Sequence, residues 1–429
     1  MAASMTVNSN DAGLKYRLEF VERILLGTLK LKPHKIKSIA YEEGFPFPYN
    51  NFVYGVEISL EDPTEDLYVG QNRPGTQAIP AGTSSVVIRL SNFAWGYNHA
   101  VRVENEVAAL SMARDALGAE LQHLVPRVFA WSPATADQGW ILQEYMPGQP
   151  LLEDFKVMKE QDQAKILGQM ADVLGCFQAY EIPTSVQGYG GLRFGQAGEY
   201  LSAPLSLLDG GPFPTYEALV RKTIESKLHE AENDRYVQGW RDSDVRSRLE
   251  DFLARGLHRT MSASLDGLRK ALVHGDLSTD NLLYDKETLR LTAVLDFDFA
   301  HVATIGDDFF RSLGHGIGRF PDTREDEEIN QLHVAMLKGF PGLLPANNDK
   351  VNWIAARTWD DALRERNIAR PSTIPDITTL ADLFWLSSAL LPFKLCNEVV
   401  VSNSTPEQLR RWKDIVTAQL QKFLSDYGF

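Results

Sequence analysis

Two stretches of the chain, Val273-His274-Gly275-Asp276-Leu277-Ser278-Thr279-Asp280-Asn281 and Leu291-Thr292-Ala293-Val294-Leu295-Asp296-Phe297-Asp298, combine carboxylates and a carboxamide at a spacing that can do chemistry. An Asp in a loop, an Asn five residues later and a second Asp ending a buried apolar strand can converge on one cleft. Phosphoryl transfer asks for little more. The loop Asp accepts the proton of an attacking hydroxyl, while the Asn and the strand-end Asp hold Mg2+ against the phosphates of ATP. The competing reading is an ordinary polar turn, because Asp, Ser, Thr and Asn all favour turns by bonding their own backbone.

The pattern His-x-Asp-x-x-x-x-Asn, then a strand ending Leu-Asp-Phe-Asp, resembles the aminoglycoside phosphotransferase and choline kinase-like family. These small-molecule relatives of protein kinases read His-Gly-Asp where most protein kinases read His-Arg-Asp. Residue by residue, the resemblance implies Asp276 as catalytic base, His274 as scaffold of its loop, and Asn281 and Asp296 as metal ligands. Asp280 and Asp298 receive no role from it. It also implies a protein kinase-like two-lobed α+β fold. A mixed N-lobe with an antiparallel sheet would cover residues 1–146 and a mainly helical C-lobe residues 147–429. The implied activity is ATP- and Mg2+-dependent transfer of the γ-phosphoryl group to a hydroxyl of a small molecule.

Such residues must be carried on a sheet, a helix and a hinge. Leu14 to Leu29 has the apolar spacing of an amphipathic helix. Strands are expected over Phe52 to Leu60 and Ser85 to Leu90, with Glu61 to Ser84, rich in Pro, Gly and acidic residues, as an exposed loop. A helix over Val101 to Leu117 and strands over Val125 to Trp131 and Gly139 to Gln143 follow. Arg89 then falls where kinases carry the strand lysine that grips the nucleotide phosphates, and Glu106 where the helix supplies its partner; Glu104 competes for that place. Arg can hold phosphate bidentately. Alternatively, Arg89 is an exposed strand residue and Glu106 part of a solvated helix face. No G-x-G-x-x-G occurs. Its place is taken by Gly44-Phe45-Pro46-Phe47-Pro48-Tyr49-Asn50-Asn51, whose prolines remove two backbone donors. Asn51 is the candidate there, with a turn or cap role as the rival. Trp140 to Gly148 reads as the hinge, where the resemblance implies that the Glu144 carbonyl and the Met146 N–H meet adenine.

Beyond the hinge, helices are expected over Gln161 to Tyr180, Tyr216 to His229, Val245 to Leu272 and Glu407 to Leu424. In the family, insertions before the catalytic loop shape the acceptor pocket. Asp307 and Asp308 read as structural, either one able to cap a helix. Glu325 to Glu328 reads as a solvated acidic face. Trp240, Trp353, Trp359 and Trp385 read as core, with an aromatic box for a cation as the alternative.

Composition fits a soluble enzyme. At 429 residues the chain is long enough for two lobes, and 44% hydrophobic residues supply a large core. The net charge of −14 argues against a nucleic-acid partner and would favour a cationic acceptor, although solubility alone explains an acidic balance equally well. Cys176 and Cys396 have no paired or metal-type spacing, Met1 to Asn10 lacks signal-peptide order, and Leu380 to Leu391 is too short to span a bilayer. A cytoplasmic protein without a membrane partner is expected. No zinc-protease, Walker or serine-elbow motif competes. Two alternatives keep the fold: a binder of nucleotide or metabolite without turnover, and a nucleotidyl transferase.

Overall fold

The computed structural model describes residues 10–39, 41, 45–60, 64–70, 73–93, 98–134, 138–262, 268–314, 316–321 and 324–429. Helix α1 (Leu14–Arg23) continues as wider π turns to Leu29; Val21, Ile24, Leu25 and Leu29 of the expected stripe are buried together with Phe20, whereas Tyr16 is exposed. These side chains share a core with an antiparallel sheet. The sheet contains β1 (Lys32–Ser38), β2 (Asn51–Ser59), β3 (Ser85–Ser91), β4 (Val128–Ser132) and β5 (Trp140–Glu144), in the order β1-β2-β3-β5-β4. β3 is central, and its Val-Val-Ile run is β-branched and buried as a strand with neighbours on both sides requires. Register places Arg89 opposite Val53 on β2 and Ile141 on β5. β1 was not expected. It is a lysine-rich edge strand without a buried face, so it carries no alternation to read.

Glu61 to Ser84 is not the exposed loop its composition suggests. Val69 and Ile79 are buried, Leu67 pairs with Ile79, and Thr76 pairs with Val128. Its prolines and glycines serve turns between short pairings that lie on the sheet. Residues 61–63 and 71–72 of this stretch, and Gly44 of the expected phosphate loop, lie outside the described residues.

Helix α2 (His99–Leu121) joins the two halves. Its Val103, Val107 and Leu110 belong to the second, larger core, which is built mainly by the rest of the chain. There, β6 (Gln149–Pro150) leads into α3 (Leu152–Val157) and α4 (Glu160–Ala179). A hairpin not read from the sequence, β7 (Gly191–Phe194) and β8 (Tyr200–Ala203), is tied to α2 by Asn105, whose amide donates to Leu192 O at 2.8 Å. Next come α5 (Tyr216–Asn233), α6 (Val245–Asp251) and α7 (Leu257–Ser262).

The helix expected to reach Leu272 stops earlier, because Lys270–Val273 forms strand β9. A short apolar run fits either periodicity, and pairing decides it. β10 (Leu282–Asp285) pairs with β6 and β11 (Arg290–Val294), while β9 pairs with β12 (His301–Thr304). The chain ends in α8 (Asp308–Arg311), α9 (Glu327–Lys338), α10 (Trp353–Glu365), α11 (Ile377–Leu390), α12 (Phe393–Cys396), α13 (Glu398–Ser402) and α14 (Pro406–Asp426). The result is a protein kinase-like α+β fold with an antiparallel sheet in its first part and a mainly helical second part.

Trp240, Trp353, Trp359 and Trp385 are all core residues. Ile377–Cys396 is apolar and long enough by composition to cross a membrane. It folds as two helices broken at Leu391-Pro392, with α11 only 14 residues long, and Leu380, Leu383, Trp385, Leu386, Leu390 and Leu395 are buried in the core.

Candidate active site

Between the sheet and the helical part lies a cavity of about 820 Å³, with Val53 and Val87 on one side, Leu283 and Leu295 on the other, and Gln143 to Met146 along one edge. β3 directs Arg89 into it. One guanidinium nitrogen lies 2.5 Å from Glu106 on α2, and another donates to Asp296 at 2.7 Å. Burial opposes the charge on Arg89, but Glu106 and Asp296 outweigh it and hold the guanidinium above its ordinary pKa. Glu104 instead accepts from the Phe194 backbone N–H at 3.1 Å. Residues two apart on a helix do not share a face, so only one of the two glutamates can reach β3.

The loop after β9 is positioned from behind. Gly275 has φ +78°, and a Cβ there would meet Phe299 O at 2.7 Å, so glycine is required. His274 is fully buried. Its Nε2–H donates to Leu295 O at 3.2 Å and its Nδ1 accepts from the Asp276 N–H at 3.2 Å, partners that assign the tautomer. Burial pushes the imidazole down to about 4, so His274 is a neutral scaffold.

Asp308 anchors the same loop. Its carboxylate accepts from Gly275 N at 3.0 Å, His274 N at 3.4 Å and Ser312 Oγ at 2.9 Å, and Ser312 Oγ accepts from Leu277 N at 2.9 Å. Asp307 points elsewhere, accepting from Tyr216 Oη and the Thr304 N–H at 3.0 Å each. Both aspartates are structural, and Asp308 also sets the loop's position.

Asn281 Nδ2 donates to Asp276 Oδ2 and to Asp276 O, both at 2.9 Å, which aims the carboxylate and leaves the amide oxygen for a ligand. Burial and the charge of Asp296 raise Asp276 to about 6, against the pull of Asn281 and of Arg319 nearby. Asp296 sits in a left-handed turn, φ 62° and ψ 69°, with one residue between it and the end of β11.

Asp298 is buried beneath the site. Arg102 of α2 grips it with Nε at 2.8 Å and with a second, closer nitrogen, and also donates to Asn50 O at 2.9 Å. Asn51 lines the cavity, but its amide donates to Asp298 at 3.2 Å and accepts from Arg102 at 3.3 Å, so both ends are engaged within the protein. Glu144 and Met146, at the expected hinge, line the cavity, with the Glu144 side chain turned to Arg127 at 2.6 Å. Arg102 was missed by sequence reasoning. Its place one turn before Glu106 on α2 was the available signal.

The expected phosphate loop is aromatic. Phe45 stacks on Tyr49 with ring centroids 5.2 Å apart, and Phe47 meets Phe393 of α12 edge-on at 5.8 Å. Asn10 pins the loop from below, donating to Phe47 O at 2.9 Å and accepting from Tyr49 N at 2.8 Å.

Residues 78–342 match the family described as the phosphotransferase enzyme family. Among solved structures, a thermostable mutant of aminoglycoside phosphotransferase APH(4)-Ia with ADP and hygromycin B is similar at 11% identity, TM-score 0.47, over 95% of this chain and 98% of that one. A putative aminoglycoside phosphotransferase from Ralstonia eutropha is similar at 14% identity, TM-score 0.48, over 96% and 97%. The GDP and kanamycin complex of APH(2")-IIIa is similar at 14% identity, TM-score 0.44, over 96% and 100%. No curated protein matches the sequence. With the family match spanning well over half of its length, the chain belongs to the phosphotransferase enzyme family.

Proposed function

We propose that the protein is an ATP- and Mg2+-dependent small-molecule kinase that phosphorylates a hydroxyl. The observation that carries this is that Arg89 from β3, Asn281 from the loop after β9 and Asp296 from the turn after β11 line one cavity, with Asp276 held beside it by its bond to Asn281. We read the lobes as residues 1–146 and 147–429, with adenine against the backbone of Glu144 and Met146.

The donor set suits Mg2+. Asp296 offers a carboxylate oxygen not held by Arg89, and Asn281 offers its amide oxygen. Two protein oxygens are a normal share for an ion that keeps its waters and binds substrate phosphates. Once bound, Mg2+ would neutralise charge on the phosphates. Arg89, fixed by Glu106, would hold phosphate oxygens. Asp276, aimed by Asn281, would orient the acceptor hydroxyl and take its proton. The new bond forms between that oxygen and the γ-phosphorus as the bond to ADP breaks, in line. His274 and Asp308 keep the loop in place and touch no substrate.

Thermal unfolding with and without Mg-ATP tests the reading, since a ligand at a hundredfold its Kd stabilises by about 2.7 kcal/mol. Wild type should gain stability only with Mg2+ present, and Asp296→Asn should lose most of the gain. Product mass then identifies the transfer, a phosphoryl group adding about 80 Da to the acceptor. A nucleotidyl-sized increment would replace the kinase reading, and no increment from a protein that binds Mg-ATP would make it a binder.

A further inference from the structure

Gln143 is a polar residue at the last position of the cavity wall before Glu144 and Met146. On β5 it is paired with Val87 of β3 and Val128 of β4, while Arg89 is paired with Ile141. Paired residues share a face of a sheet and successive residues alternate, so Gln143 lies on the face that carries Val87 and Arg89, two residues nearer Glu144 than the Arg89 level. It is 5% exposed, and its Oε1 is shut off from water with no hydrogen-bond partner. The flanking valines have nothing to donate. A buried amide oxygen left unpaired costs the ligand-free protein free energy, and a donor arriving in the cavity relieves that cost.

Three residues further on, the Met146 N–H makes no hydrogen bond to a backbone carbonyl among the described residues. This end of the cavity therefore presents an unmatched acceptor, Gln143 Oε1, and an unmatched donor, Met146 N–H. The edge of adenine is complementary, with a donating 6-amino group beside the accepting N1. Guanine reverses both, with an accepting 6-oxo group beside a donating N1–H. Wrong pairing leaves buried groups unsatisfied on both sides, which is the strongest basis for discrimination a pocket has.

We propose that Gln143 sets the nucleotide preference: Glu144 O accepts one hydrogen of the adenine 6-amino group and Gln143 Oε1 accepts the other. Gln143 touches no phosphate and takes no part in the transfer. The inference rests on the kinase reading of the cavity and deepens it by naming the residue that selects adenine.

The full chain with Mg2+ is titrated calorimetrically with ATP, N6-methyl-ATP and GTP, which needs no acceptor. N6-methyl-ATP keeps one amino hydrogen for Glu144 and puts a methyl group where Gln143 accepts the other. Wild type should bind ATP about tenfold or more tighter than either analogue. Gln143→Met, of similar length without a hydrogen-bonding group, should bring ATP and N6-methyl-ATP to within about twofold of each other. Its ligand-free form should melt higher than wild type, because the unpaired oxygen is gone. Gln143→Leu gives the same two readouts through a different side chain. A glutamine with a merely structural role would weaken all three nucleotides alike and lower the melting temperature when replaced. No binding of any of the three nucleotides overturns the kinase reading and this inference with it. Binding with GTP preferred, with N6-methyl-ATP held as tightly as ATP by wild type, with the ratio of the two unchanged in the variants, or with both variants less stable than wild type overturns this inference alone.

Discussion

Arg102 and Asp298, 196 residues apart in sequence, form a two-bond side-chain pair that is about 1% exposed on each side. It joins α2, which carries Glu106, to the turn that carries Asp296, and through Asn51 it reaches the start of β2. The pair therefore fixes how the sheet side of the site meets the catalytic side. Arg102→Ala would leave a buried carboxylate uncompensated, and we expect a loss of about 3–5 kcal/mol. Replacing both partners together, Arg102→Met with Asp298→Leu, should recover much of that stability. Urea unfolding of the wild type and both variants measures it.

Asp276→Asn should abolish turnover, leave Mg-ATP binding intact, and stabilise the ligand-free protein at pH 8. The folded-state pKa of Asp276 is raised to about 6, so its ionised form is disfavoured by folding. That cost is absent at low pH and grows as pH rises through the window from about 4 to about 6, where the unfolded carboxylate ionises first. Asparagine keeps an oxygen for the Asn281 donor without the charge. A gain of about 1–2 kcal/mol at pH 8, shrinking to nothing near pH 4, is expected from thermal scans across pH.

Turnover should follow the same group in the opposite sense. A base must be deprotonated to accept the hydroxyl proton, so kcat/KM should fall as pH drops below about 6. His274, pushed down to about 4 and neutral across that range, contributes no inflection near its ordinary value. A limb centred near pH 6 in wild type checks the assignment, and a limb that persists in a His274→Gln variant shows that the imidazole is not its source.

Arg89→Lys should keep the fold and raise the KM for Mg-ATP about tenfold or more, because a single ammonium cannot span Glu106 and Asp296 as the fork does. Steady-state kinetics at varied ATP measure it, with circular dichroism as the control for folding.

Asp308→Ala removes the acceptor for Gly275 N, His274 N and Ser312 Oγ. Losing a buried acceptor for two backbone donors should cost about 2–4 kcal/mol and lower kcat far more than it changes the KM for ATP, since the loop that aims Asp276 loses its support. Chemical denaturation and kinetics together distinguish this from a purely global effect.

The residues of the candidate site were legible because their spacing is local. His274, Asp276 and Asn281 lie within one loop, and Asp296 ends a short apolar strand, so chain order alone brings the motif together. β3 was legible too, since a central strand is apolar along its length. What stayed hidden was set by neighbours distant in sequence. Glu104 and Glu106 carry the same charge on the same helix, and only the helix's rotation against β3 gives Arg89 to Glu106. Asp298 could not be assigned without Arg102, nor Asp308 without Gly275, because a buried ion pair and a side-chain anchor leave no periodic trace. The edge strand β1 and the buried turns around Ile79 depend on a sheet to lie against. The sequence by itself determined which polar residues of the candidate site lie close together, because short stretches of chain hold them there. Tertiary packing alone decided which charges are matched, because that outcome depends on elements that meet only after folding.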